Sequence, residues 1–279
     1  MPNPALEKLG FAPDARVAIV HADDVGMCHA ANLGFWQDLR FGIVTCGAVM
    51  IPCPWVPEIA DWCRAHPEAD VGVHITLNAE WEGYRWKPVS TADPASGLLD
   101  EQGYMWRSVA DLHRHMDPDA AIAEMRAQVE MALALGIDVT HVDTHMGAVA
   151  HPQLYPAFVE LALEYRLPAM LPRLSAQDMV EREIDPRLGQ ALVQRVEAMA
   201  AAGYPVLEGI LSARESGDHL DVYRRLFDRV PPGITHLLLH PAAPGYDMEA
   251  ISTSAAYRIA DYQVMLQPAL KDYIQQQGI

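Results

Sequence analysis

An apolar run of strand type, Val17-Ala18-Ile19-Val20-His21-Ala22, ends in two adjacent carboxylates, Asp23 and Asp24, with Gly26 close behind. Neighbouring side chains on a regular strand point to opposite faces, so both carboxylates serve one site only if the strand ends or bulges there. A carboxylate pair at the C-terminal end of a buried strand suits metal-assisted hydrolysis, one group holding an ion and the other accepting a proton. An Asp-Asp pair beside Gly equally suits a turn or a helix cap. Three further clusters favour the chemistry. His74 interrupts the β-branched run Val71-Gly72-Val73-His74-Ile75-Thr76-Leu77. His141, Asp143 and His145 alternate through Thr140-His141-Val142-Asp143-Thr144-His145, which puts all three on one face of a strand. Such a face is costly to bury unless it meets a metal, a proton partner or water. His240 closes the run Leu237-Leu238-Leu239. Four apolar runs that each end in or carry Asp or His read as one site fed by several strand ends.

The elements that must position these residues alternate along the chain. Strand-like runs fall near 17–22, 43–50, 71–77, 139–144, 168–171, 206–211 and 235–240. Helical patterns lie between most of them: His29 to Arg40, Pro54 to Ala65, Asp119 to Leu135, Gln153 to Tyr165, Arg187 to Ala202, His219 to Arg229 and Ser254 to Gln277. The clearest is Asp119 to Leu135, with Ile122, Met125, Val129, Ala132 and Leu133 on one face, Asp117-Pro118 before it and Gly136 as its C-terminal stop. Strand and helix repeated about seven times predict parallel strands with right-handed crossovers. A distorted or incomplete (β/α) barrel fits better than a doubly wound sheet, because polar residues recur at strand ends across the whole chain. There is no Gly-x-Gly-x-x-Gly or P-loop for a nucleotide fold to rest on. Residues 79–116 lack periodicity and hold Trp81, Tyr84, Trp86, Tyr104 and Trp106. A loop of this length is usually functional or carries small elements of its own. Its aromatics suit stacking on sugar faces, and equally a lid that packs on itself. With no repeat, low-complexity tract or linker, residues 1–279 read as one domain with 79–116 as a lid insertion.

The 279 residues, 51% of them hydrophobic, are enough for one large α/β core. A net charge of −17 argues against nucleic acid and anionic membrane surfaces, both of which need cationic patches. Cysteines at 28, 46, 53 and 63 form no Cys-x-x-Cys pair, so a zinc ribbon has no support. Cys46 and Cys63 read as core residues, and Cys28, just past Asp24, as either core or site lining. Met1 to Arg16 has no signal-peptide pattern, and no apolar run approaches ~18 residues. The expectation is a soluble, cytoplasmic protein without disulfides, with a homo-oligomer left open.

Ala22-Asp23-Asp24-Val25-Gly26, Gly72-Val73-His74-Ile75-Thr76-Leu77, His141-Val142-Asp143-Thr144-His145 and His240-Pro241 together resemble the YdjC-like (ChbG/HpnK) carbohydrate deacetylases in order and spacing. The resemblance runs from about Val17 to the C-terminal helix. It implies a (β/α) barrel related to the NodB-like polysaccharide deacetylases, one divalent metal ion and hydrolysis of an N-acetyl group on a sugar. By the same resemblance Asp24, His74 and His145 match the metal ligands, Asp23 the catalytic base and His240 a general acid. Two imidazoles and a carboxylate suit Zn²⁺ first, with Co²⁺ or Mg²⁺ as other candidates. His141 and Asp143 would orient ligands, Arg173 would fix a carboxylate or bind substrate, and Trp81, Tyr84 and Trp86 would line the substrate. Two departures from the family pattern touch the pocket wall: Gly147 stands at a frequent third His, and Ala242 where His-Pro is often followed by Gly. With the imidazole absent at 147, the expected substrate is a mono- or short oligosaccharide acetamide enclosed by the loop. A non-sugar amide or ester hydrolase, or a metal-binding protein without catalysis, remains an alternative on the same residues.

Overall fold

A computed structural model describes residues 3–173, 186–213, 215 and 217–279; Met1 and Pro2, part of the N-terminal stretch read above, lie outside the described residues. Six strands form a sheet: β1 (Arg16–Val25), β2 (Cys46–Val49), β3 (Val71–Ile75), β4 (Val139–Thr144), β5 (Gly209–Ser212) and β6 (Gly233–Leu239), in the order β4-β3-β2-β1-β6-β5. The pairs β2–β3, β3–β4 and β5–β6 are parallel, as the alternation of strand and helix requires. The seventh run, 168–171, contributes one isolated parallel bridge, Val142 with Ala169, instead of a strand, and Pro172 just after it bridges Leu207. Pro168 opens that run and Pro172 follows it, and each lacks an amide donor, which keeps it from laddering.

The chain divides into two compact units. The first comprises Met1–His21, Met170–Leu239 and Gln267–Ile279. Its core packs Leu6, Leu207 and Ile234 with Val17, Ile19 and Ile210. Arg16 donates to the Phe227 and Val230 carbonyls at the C-terminal end of the helix His219–Asp228, where cations are favoured. The expected last helix, 254–277, is two helices, Ala255–Met265 and Pro268–Gln276. Pro268 offers no N–H to continue the ladder, and Gln267 before it is extended.

The second unit, Ala22–Ala169 with His240–Leu266, holds every residue of the site described below. In the helix Pro118–Ala134, Asp117 caps the start by accepting from the Asp119 N–H. At its end the Ile137 and Gly136 amides return to the Ala132 and Leu133 carbonyls, the two bonds of a Schellman stop. The buried face differs from the expected one. Leu133 is exposed, while Glu124 and Gln128 are buried. The polar pair is satisfied: Glu124 accepts from Val89 and Ser90 N–H, and Gln128 exchanges two hydrogen bonds with the Thr76 backbone. That network pins the chain just after His74. Residues 79–116 carry a single 3₁₀ turn at Pro94–Ser96, a helix at Val109–His115 and an isolated Leu99–Met105 bridge. Among the described residues no helix is long and apolar enough to cross a membrane. All four cysteines are buried and free, and Cys28 belongs to the apolar cluster.

Candidate metal and catalytic centre

Asp24 takes φ +61°, a left-handed conformation that non-glycine residues rarely adopt and that Asp tolerates better than most. This breaks the two-residue alternation at the end of β1, so Asp23 and Asp24 both reach one site. Asn32, fully buried on the helix His29–Phe41, holds the turn by accepting from the Gly26 N–H at 2.7 Å. Met146 at φ +50° marks a second strained position, directly after His145.

β3 and β4 place His74 opposite Asp143 in parallel register. His74 Nδ1 lies 2.7 Å from Asp143 Oδ1, and its Nε2 faces Asp24 Oδ1 at 3.5 Å. β4 ends at Thr144, and His145 opens a 3₁₀ turn instead of continuing the strand. That turn delivers His145 Nδ1 to 3.1 Å from the same Asp24 oxygen, while Nε2 lies 2.9 Å from Glu80 Oε2. Arg258, buried on the helix Ala255–Met265, places Nη1 2.7 Å from Asp24 Oδ2. His240, half-buried after β6, has Nε2 3.9 Å from Asp23 Oδ2, and its backbone N–H donates to Asp261.

One ligand atom each from Asp24, His74 and His145 falls within 4.8 Å of the others, and all three side chains are buried. A cation centred among them would meet two nitrogens and one oxygen, a donor set that fits zinc and its neighbours. Each imidazole has its outer nitrogen held by a carboxylate, as orientated metal-ligating histidines usually do.

Charge is distributed accordingly. Burial by itself would raise the Asp24 carboxyl, but Arg258 and the two imidazoles outweigh it and hold the group well below the usual carboxylate range. Burial would lower both histidines, yet Asp143 and Asp23 hold His74 well above the ordinary value, and Glu80 and Asp24 bring His145 to about 9. Both shifts favour the imidazolium form in the metal-free protein. A cation can take their lone pairs only after those protons leave. Zn²⁺ binding at pH 7 is thus expected to release protons, and its apparent affinity to rise with pH. Calorimetric titration in buffers of different ionisation enthalpy reads the proton count, and a count of zero would contradict this arrangement.

Not every residue singled out by type and spacing joins the cluster. His141 Nδ1 is 3.3 Å from Asp70 and 2.9 Å from the Thr140 hydroxyl, and its ring fills the place a Cβ at Gly72 would occupy. The alternation of 141, 143 and 145 does not make one working face, because β4 stops before His145. Arg173 lies in the first unit, where it pairs with Glu208 and Glu197. Tyr84 donates to the Met27 carbonyl, and Trp86, buried, donates to the Asn78 carbonyl while lying edge-on to His145. Trp81 sits beneath the Arg258 guanidinium, 5.7 Å from ring centre to Cζ. Ala242 is fully buried in the apolar cluster with Met27, Cys28 and Trp86, so its methyl packs in the core. A Cβ at Gly147 would meet nothing within 4 Å, though its φ of +67° strains any side chain. Glu80 and Arg258 went unread in the sequence. Glu80 lies in the stretch without periodicity, and Arg258 is one of several polar residues on its helix.

A parallel α/β sheet with a buried His-His-Asp cluster, a second carboxylate and a nearby imidazole at its strand ends defines a class of protein equipped for hydrolysis. Within it the chain belongs to the YdjC-like protein family, whose profile matches residues 17–276. The carbohydrate deacetylase of Thermus thermophilus is 31% identical over 270 residues, 95% of this chain and 92% of the relative. The chitooligosaccharide deacetylase of Yersinia enterocolitica is 25% identical over 267 residues, 94% and 96% of the two chains. A solved structure from Enterococcus faecalis, provisionally assigned as a cellobiose-phosphate cleavage protein, superposes with a TM-score of 0.78 at 21% identity over 95% of this chain and 96% of that one. That likeness establishes the shared fold.

Proposed function

We propose that this chain is a metal-dependent carbohydrate N-deacetylase acting on mono- or short oligosaccharide acetamides. The observation that carries the proposal is the buried Asp24–His74–His145 cluster with Asp23 and His240 beside it, in a chain related over nearly its whole length to carbohydrate deacetylases. Asp24, His74 and His145 would hold one divalent ion, Zn²⁺ best suiting the donors. When bound, that ion supplies Lewis-acid polarisation of the amide carbonyl and lowers the pKa of water. Asp23 takes the proton from the attacking water. His240, as imidazolium, gives one to the leaving amine. Their 3.9 Å separation lets base and acid serve one scissile amide. Arg258 and Asp143 hold Asp24 and His74 in place from behind.

The test is acetate release from N-acetylglucosamine monomer, dimer and hexamer with Zn²⁺, Co²⁺ or Mg²⁺ supplied. Room beside Gly147 and the half-buried Trp81 support a pocket for a short substrate, while Tyr84 and Trp86 serve to build its wall. The expected order of kcat/KM places monomer or dimer above hexamer. A steady rise to the hexamer would mean an open groove and overturn the enclosed pocket.

His240 gives a second check through pH. Burial, reinforced by Arg258 and His74, lowers it from 6.5 against the opposing pull of Asp24 and Asp23. A general acid works only when protonated, so in metal-saturated protein the alkaline limb of activity should follow the lowered titration of His240. His240→Ala should flatten that limb and lose less activity on acetyl esters than on amides, since an alkoxide depends less on proton donation than an amine. An unchanged amide-to-ester ratio would count against the role.

A further inference from the structure

The two imidazoles of the cluster are supported differently. His74 leans on Asp143, its register partner on the adjacent strand. His145 leans on Glu80, which belongs to the long loop. Building on the metal-centre reading above, we propose that Glu80 is a positioning residue for that centre and ties the loop to it.

The geometry is specific. With Nε2–H donated to Glu80 Oε2, the proton that His145 gives up to a cation is the one on Nδ1, the nitrogen facing Asp24. Glu80 is mostly buried, its side chain 17% exposed, so the bond is largely shielded from water. The residue lies at the root of a laced strap. The Ala79 N–H donates to the Trp106 carbonyl at 2.8 Å, the Met105 N–H to the Trp86 carbonyl at 3.1 Å, and the Trp86 indole to the Asn78 carbonyl at 2.9 Å. The next residue, Trp81, covers the Arg258 guanidinium that holds Asp24. Consecutive loop residues thus reach two of the three cluster members from outside, Glu80 directly and Trp81 through Arg258. The loop is a working part of the centre, and loading the centre should order the loop.

Zn²⁺ affinity, measured by competition with a chelator, and hydrogen exchange of the 79–106 amides with and without Zn²⁺ test this together. Glu80→Ala should bind Zn²⁺ roughly 10–100-fold more weakly. Glu80→Gln should lose less, because its amide oxygen still accepts from His145. In the wild type Zn²⁺ should slow exchange at Ala79 and Met105, and in Glu80→Ala it should not. A Glu80 that merely packs the loop would speed exchange in both states and leave Zn²⁺ affinity unchanged, which would overturn the proposal. Asp24→Ala separates the two levels. If it loses Zn²⁺ while Glu80→Ala does not, only the Glu80 role fails; if Asp24→Ala binds Zn²⁺ as tightly as wild type, the metal-centre reading fails first. Should Glu80→Ala not fold, Glu80→Gln decides: Zn²⁺ binding weaker than wild type with an unchanged metal-free melting temperature supports the role, and wild-type binding refutes it.

Discussion

Asp24→Ala, His74→Ala and His145→Ala will each lose bound metal and acetate release together. With three protein ligands, removing one leaves an ion held mostly by water. The loss should exceed the roughly 100-fold at most that removing a supporting carboxylate typically causes. Two of these changes also open a buried pair: Asp24→Ala takes the carboxylate from beside Arg258, and His74→Ala takes the imidazole from beside Asp143. Removing one partner of such a pair destabilises by about 3–5 kcal/mol, so melting temperatures belong beside the metal content. Asp24→Asn keeps the shape and removes only the charge, and it should lose metal with a smaller change in melting temperature. Elemental analysis showing wild-type metal in folded His74→Ala would reject the ligand assignment.

Asp23→Asn should do the opposite to metal and the same to activity. Asp23 lies next to Asp24 in sequence, but it faces His240, 3.9 Å away. Losing its basicity should lower kcat roughly 10²–10⁴-fold, the usual worth of general base catalysis, with metal content unchanged. Because the amide is isosteric with the carboxylate, KM should move little. Loss of metal from Asp23→Asn would show that the two aspartates have been assigned in reverse.

The contrast between these neighbours shows what a sequence can and cannot carry. Two carboxylates at the end of an apolar run, and histidines in or after three others, mark a shared site because polar groups at buried strand ends need a reason. That both Asp23 and Asp24 face the site depends on one dihedral, φ +61° at Asp24, which residue types only hint at. The His141-Asp143-His145 alternation misleads for a related reason. The two-residue period holds only while the strand lasts, and β4 ends at Thr144. The strands themselves were legible from apolar runs, except at 168–171, where proline allows bridging but not a ladder. The face of the helix Pro118–Ala134 was misjudged at Leu133 because Glu124 and Gln128 take buried places by serving the backbone of distant segments. Glu80 and Arg258 lay beyond local pattern altogether. Their partners, His145 and Asp24, are brought to them only by the tertiary fold.

The central claim joins a metal to the chemistry, and one titration addresses it. Purified protein is stripped with a chelator and Zn²⁺ is returned stepwise, with acetate release from an N-acetylated mono- or disaccharide followed at each addition. The account predicts no activity in the stripped protein and a linear recovery that levels off at one equivalent of bound Zn²⁺. Full activity in protein shown by elemental analysis to be metal-free would contradict it.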